Sequence, residues 1–187
     1  MGIEMDQETK FEKIHVWDPF VRVFHWALVS CIVVNYFVMD NGETLHRCLG
    51  YTASLLVCLR IVWGFVGSRY ARFSDFLPTP ARIKRHLQLV IAGKHDDYPG
   101  HNPVGALMML GLMALVLSLG ITGYMQTSDA FWGEEWVQDL HEALASTLIA
   151  FAGLHAMAAI VMGRLERTNL ILAMVTGVKT RPVGDDR

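Results

Sequence analysis

Four stretches of this chain carry few charges, and each is long enough to cross a bilayer: 20–39, 45–66, 103–126 and 140–163. A helix rising ~1.5 Å per residue needs about 20 apolar residues to span a hydrocarbon core ~30 Å thick, and all four meet that length. A soluble bundle would alternate an apolar face with a charged face at the helical period. Between 106 and 124 no face carries a charge, so water is excluded as the solvent of that helix. The pattern predicts an all-α, integral membrane four-helix bundle in a single domain covering 1–187. The first stretch follows a polar tail of 19 residues rich in Glu and Asp, and no small-residue cleavage site follows Met39. It is expected to persist as a span rather than to be cleaved as a signal peptide.

The connections differ in character. Asn41-Gly42 marks a tight turn between the first two spans. The segment 67–102 is longer, and Thr79-Pro80 opens a helix expected over 81–92, with Gly93 ending it. There Ile83, Leu87, Val90 and Ile91 share one face and Arg82, Lys84 and Arg85 the other, the pattern of a helix lying in a membrane surface. The stretch 170–178 is amphipathic in the same way. The N-terminal tail is expected to be solvated, with order only near Trp17-Asp18-Pro19, where Pro19 suits a first helical turn. Trp17, Trp26, Trp63, Trp132 and Trp136 all fall near span ends, the depth at which tryptophan anchors a helix.

Composition sharpens this picture less than charge placement does. Hydrophobic residues make up 52% and charged residues 18%, a more apolar mix than a soluble domain carries. The net charge of −2 gives no reason to expect a nucleic acid partner. Arg69, Arg72, Arg82, Lys84, Arg85 and Lys94 fall within 67–102, and Arg164, Arg167, Lys179, Arg181 and Arg187 follow the last span. The loops 40–44 and 127–139 have no Lys or Arg and carry Asp40, Glu43, Asp129, Glu134, Glu135 and Asp139. The positive-inside rule therefore puts 67–102 and both termini in the cytoplasm and the two acidic loops outside. Cys31, Cys48 and Cys58 form neither a C-x-x-C pair nor a C-x-x-C-H haem attachment and are expected to be packing residues.

Histidine inside a bilayer is costly and calls for a partner or a function. His25, His46, His141 and His155 lie in or at the edge of the spans, whereas His15, His86, His95 and His101 fall in tails or loops. His141 and His155 are 14 residues apart, ~21 Å of rise and nearly four whole turns, so both point to one side of the last span at different depths. Ala145, Leu148 and Ala152 lie between them, two of the three small. By depth, His25 pairs with His155 on the inner side and His46 with His141 on the outer side. Two bis-histidine sites at two levels are what two b haems need, an imidazole on each face of each iron. With both axial positions taken, electron transfer is favoured over ligand chemistry. Haem propionates need cations with several donors. Arg60, 14 residues after His46, and Arg22, one turn before His25, are assigned to the inner haem, and Arg47 to the outer one. Hydrogen bonding between helices without a cofactor, a mononuclear metal site and a proton relay are weaker alternatives. The ~21 Å between levels rules against a single metal site, and the spans lack buried acids for a relay.

These residues resemble the prokaryotic cytochrome b561 family, which is grouped with the b-type cytochrome subunits of nickel–iron hydrogenases. The likeness covers nearly the whole chain. It rests on Phe24-His25-Trp26, Leu45-His46-Arg47 with Gly50-Tyr51, His141-Glu142-Ala143-Leu144-Ala145 and Leu154-His155-Ala156, the last two being the most specific. Trp17-Asp18-Pro19, Ala71-Arg72-Phe73-Ser74-Asp75-Phe76, Gly100-His101-Asn102-Pro103 and Thr176-Gly177 are similar to a subgroup often found beside small c-type cytochromes. The resemblance implies two haem b groups held by His25, His46, His141 and His155, a bacterial inner membrane, and electron exchange with quinone. By position alone His101, just before the third span at the inner surface, is first a helix-start residue and second a candidate for a quinone site. One branch of the family oxidises superoxide at the outer face and passes the electron to ubiquinone. Acidic outer loops would repel that anion and attract a lysine-rich partner such as a c-type cytochrome. The expected function is electron transfer between quinone and an outer redox partner. A superoxide:quinone oxidoreductase and an anchor subunit of a hydrogenase-like complex are the alternatives.

Overall fold

The computed structural model describes residues 11–39, 43–92, 100 and 102–182. In chain order the helices are α1 (Pro19–Phe37), α2 (Thr44–Val66), a 3-10 turn at Arg69–Ala71, α3 (Phe73–Phe76), α4 (Pro80–Ile91), α5 (Pro103–Met125), α6 (Glu135–Leu165) and α7 (Leu170–Thr176). α1, α2, α5 and α6 are long and apolar enough to cross a membrane, and α5 is the most apolar, with a mean hydropathy of 2.4. Three of the four spans match the boundaries expected from hydropathy to within two residues. α6 starts five residues earlier and ends two later. Its 31 residues exceed the ~30 Å hydrocarbon thickness at ~1.5 Å per residue, so its polar first turns project beyond the apolar slab.

Two helix starts use the same local chemistry. Pro19 and Pro103 occupy first-turn positions, and the preceding Asp18 and Asn102 cap the exposed N–H groups. Asp18 Oδ1 accepts from the Val21 N–H at 2.9 Å, and Asn102 Oδ1 from the Gly105 N–H at 2.7 Å. Asp18 does more than cap. Its Oδ2 accepts from Trp63 Nε1 at 3.1 Å and from the Ser68 hydroxyl, tying the start of α1 to the end of α2. Burial alone would push the Asp18 carboxyl up. The hydrogen bonds from Ser68, the Val21 N–H and Trp63, with the Arg60 charge nearby, outweigh it and hold the group below the ordinary 3.8. A carboxyl lowered by folding contributes stability above its unfolded pKa, about 3.9, and loses it as pH falls through the folded value. The melting temperature of the solubilised protein should therefore exceed that of Asp18→Asn near neutral pH and converge with it in acid. A constant gap from neutral to acid pH would contradict the ionised cap.

α5 is the centre of the bundle. It packs on α2 and on α6, while α1 packs on α2. Phe24, Ala53, Val57, Met113, Val116 and Leu148 form the buried core. Close approach depends on small residues, as in membrane helix pairs generally. A Cβ on Gly120 of α5 would collide with Ser54 of α2, and one on Gly64 with the Phe73 ring. α6 is the least covered span: only 6% of its apolar window is buried, and Val137 and Leu148 are its buried residues. The helix that bears two of the four span histidines therefore presents a long face that the rest of the chain does not cover.

The termini depart from the sequence expectation. Residues 11–15, expected as solvated tail, form strand β1 (Phe11–His15). It pairs antiparallel with β2 (Val178–Pro182), in register from Phe11↔Pro182 to His15↔Val178. The stretch 170–178 is not one amphipathic helix, because α7 stops at Thr176 and Gly177 takes a left-handed φ of 85° that turns the chain into β2. The Gly177 carbonyl accepts from the Val16 and Trp17 N–H groups at 2.9 and 3.2 Å. Thr168 Oγ1 donates to the Thr180 carbonyl at 2.8 Å, and Lys179 pairs with Glu166 at 3.0 Å. A helix is present where one was expected over 81–92, as α4. Its Leu87 and Ile91 are exposed, and Arg82 Nη1 donates to the Asp75 carbonyl at 3.2 Å.

Candidate functional site

The four span histidines meet in two pairs. His25 on α1 faces His155 on α6 with ring centroids 6.5 Å apart, and His46 on α2 faces His141 on α6 at 6.3 Å. These are the pairings that depth along the spans predicts. An imidazole nitrogen binds a first-row metal at about 2 Å. With each ring centre about 1.1 Å behind its nitrogen, a linear nitrogen–metal–nitrogen arrangement separates the centroids by about 6.2 Å. Both gaps match one metal atom. Among the described residues no group of three or more His, Cys, Asp or Glu side chains could hold a metal ion. Two opposed imidazoles can supply only two trans positions, so a metal between them needs a flat ligand for the rest, which is the donor set of a haem.

The surroundings fit such a group. A cavity of about 990 Å³ surrounds the His46–His141 pair, at the upper end of the ~300–1,000 Å³ range of ligand pockets. Ile32, Val116, Leu119 and Leu148 form apolar walls, and Gly120, Gly123 and Ala145 leave flat space against α5 and α6. A Cβ on Gly123 would lie 3.4 Å from His141 Cε1. Asn35, Arg47, Gln126 and Gln138 supply polar groups in its lining. Buried polar atoms are normally satisfied. Yet His25 Nδ1, His46 Nδ1, Asn35 Oδ1, Arg22 Nε and Arg60 Nη1 are buried with no hydrogen-bond partner among the described residues. Those of His25, His46, Arg22 and Arg60 belong to span histidines or to arginines singled out from the sequence.

The arginines differ in position. Arg60 is 1% exposed. Its Nη2 donates to the Ala71 carbonyl at 3.0 Å and its guanidinium lies 5.6 Å from the Phe73 ring centre, so it ties α2 to the turn that follows. Its Nη1 is buried with no hydrogen-bond partner among the described residues. Arg22 lies against the Gly177 turn, where a Cβ would come 3.2 Å from Nη1. Arg47 is exposed, in the wall of the 990 Å³ cavity, with Nη2 3.5 Å from Thr44 Oγ1. His101 lies outside the described residues. Thr122 was not legible as a site residue: its Oγ1 sits 2.8 Å from His141 Nδ1. Its signal in the sequence was a hydroxyl one turn after Ser118 in the most apolar span, and such hydroxyls usually bond only their own helix.

Comparison with known proteins gives the family. The family model described as prokaryotic cytochrome b561 matches residues 16–177. A probable Ni/Fe-hydrogenase B-type cytochrome subunit of Rhodobacter capsulatus is 25% identical over 98% of this chain and 87% of its own length. The corresponding protein of Azotobacter vinelandii is 24% identical over 100% of this chain and 95% of its own. A probable Ni/Fe-hydrogenase 1 B-type cytochrome subunit of Escherichia coli K12 is 25% identical over 62% of this chain and 60% of its own. No solved structure matches. With four membrane-crossing helices and a family match running from β1's end to the Gly177 turn, the chain belongs to the prokaryotic cytochrome b561 family.

Proposed function

We propose that this protein is a di-haem b membrane cytochrome that carries electrons between the quinone pool and a redox protein at the outer face of the bacterial inner membrane. The observation that carries the reading is the pair of 6.3 and 6.5 Å imidazole gaps at two levels of one bundle. Haem b supplies one-electron ferric/ferrous chemistry at each level. His25 and His155 hold the inner group, His46 and His141 the outer one. The uncommitted nitrogens of Arg22 and Arg60 serve inner propionates, and Arg47 serves the outer group, as guanidinium suits carboxylate. Both termini and the basic segment 67–102 lie in the cytoplasm. Quinone exchanges electrons near the inner level.

The outer surface supports a basic protein partner, a c-type cytochrome. Asp129, Glu134, Glu135, Asp139 and Glu142 are exposed there, beside exposed Trp132 and Trp136. An acidic field slows a small anion such as superoxide and steers a lysine-rich protein. The relatives' names favour a second reading, a cytochrome subunit of a hydrogenase, in which the same two levels serve a permanently bound complex. The test mixes quinol-reduced protein with a lysine-rich cytochrome c. Exchange should be fast at low salt and fall at least tenfold by about 0.15 M salt, where charges more than ~8 Å apart are screened. Salt-independent slow exchange, with rapid haem reduction by superoxide instead, would overturn the carrier reading.

A further inference from the structure

We infer that Thr122 sets the tautomer and orientation of His141 and is thereby a positioning residue of the outer haem site; this rests on His141 being an axial ligand. A threonine hydroxyl has one proton to donate and two lone pairs. Thr122 Oγ1 lies 2.9 Å from the Ser118 carbonyl and 3.3 Å from the Leu119 carbonyl, both acceptors only, and 2.8 Å from His141 Nδ1. The hydroxyl proton goes to the carbonyls of its own helix, the usual back-bond of threonine in a membrane helix. Oγ1 can then meet Nδ1 only as an acceptor, so Nδ1 carries the hydrogen. In a neutral imidazole the other nitrogen, Nε2, is left with its lone pair, the donor state a metal needs.

Among the described residues no other span histidine has a hydroxyl partner. His46, its opposite number 6.3 Å away, and His25 at the inner level both have a buried Nδ1 with no hydrogen-bond partner among the described residues. α5 thus dictates the state of the α6 ligand, while nothing described dictates that of the α2 ligand. Gly123, next in the chain, leaves room for the ring, since a Cβ there would reach 3.4 Å from Cε1. An imidazole that donates from Nδ1 is a better electron donor through Nε2, and losing such a partner typically costs 10–100-fold in metal affinity. A better donor favours ferric iron, so loss of the Thr122 hydroxyl raises the potential of the outer haem.

The experiment compares Thr122→Val, which keeps the shape and loses the oxygen, with Thr122→Ser, which keeps the oxygen. Thr122→Ala replaces the valine variant if that variant does not accumulate. Each is purified with its haem, titrated in potential, and challenged with apomyoglobin as haem acceptor. In the valine or alanine variant, the one redox transition that His141→Ala removes should move to higher potential. That haem should leave about 10–100 times more readily, the other transition should stay in place, and serine should restore both properties. Unshifted transitions and unchanged haem loss in a variant that retains two haems would overturn the role of Thr122. Two haems persisting in His141→Ala would instead overturn the ligand assignment beneath it.

Discussion

Replacing His141 by alanine is expected to remove one of two haem equivalents from the purified protein and to leave the other with its spectrum and potential unchanged. His155→Ala should remove the complementary equivalent. Selectivity follows from the geometry: His141 faces His46 alone and His155 faces His25 alone, at levels ~21 Å apart along α6. Loss at one level leaves both ligands of the other intact. The cavity around His46 and His141 is bounded by apolar walls and small residues, so a haem kept there without His141 would have only the His46 imidazole to hold its iron. A redox titration of each variant should show one transition where the parent shows two. Variants that both lose the same transition, or keep both, would contradict the pairing.

Arg60→Leu is the second substitution of large expected effect. Among the described residues Arg60 is the largest side chain buried to this degree, at 1% exposure, and its guanidinium serves several neighbours at once. The Ala71 carbonyl would lose its 3.0 Å donor, Asp18 would lose a nearby positive charge, and the Phe73 ring would lose its cation. An unsatisfied buried acceptor costs about 1–3 kcal/mol, and a cation–π contact adds about 1. The expected loss is about 2–4 kcal/mol, which lowers the melting temperature by roughly 4–16 °C for a chain of this size. If Nη1 also meets a propionate, as proposed, removing the cation shifts the inner haem to lower potential. Lysine should rescue little, because it lacks the planar fork. A melting temperature equal to the parent's would contradict the brace. A lowered melting temperature with an unmoved potential would confine Arg60 to it.

What could be read from the sequence was what a bilayer makes loud. The spans stand out because lipid tolerates no charged face, and the two pairings follow because His141 and His155 share a side of one helix while His25 and His46 enter from opposite ends. The β1–β2 pairing was not legible, because its partners stand more than 160 residues apart and Phe11–His15 is too short a run to declare a strand against an acidic tail. The first turns of α6 were hidden because Glu135 and Asp139 dilute the apolar signal, although the helix runs through them. Arg60 was read by depth as a haem contact, while its bond to Ala71 depends on how the turn after α2 folds back. Thr122 escaped because side-chain contacts between α5 and α6 leave no mark in spacing.

The most direct measurement is a pyridine haemochrome assay, with protein quantified by amino-acid analysis, on the chain expressed with ample haem. The account predicts haem b at two equivalents per chain, low-spin in both oxidation states. A colourless protein, or one holding a single equivalent, would contradict it.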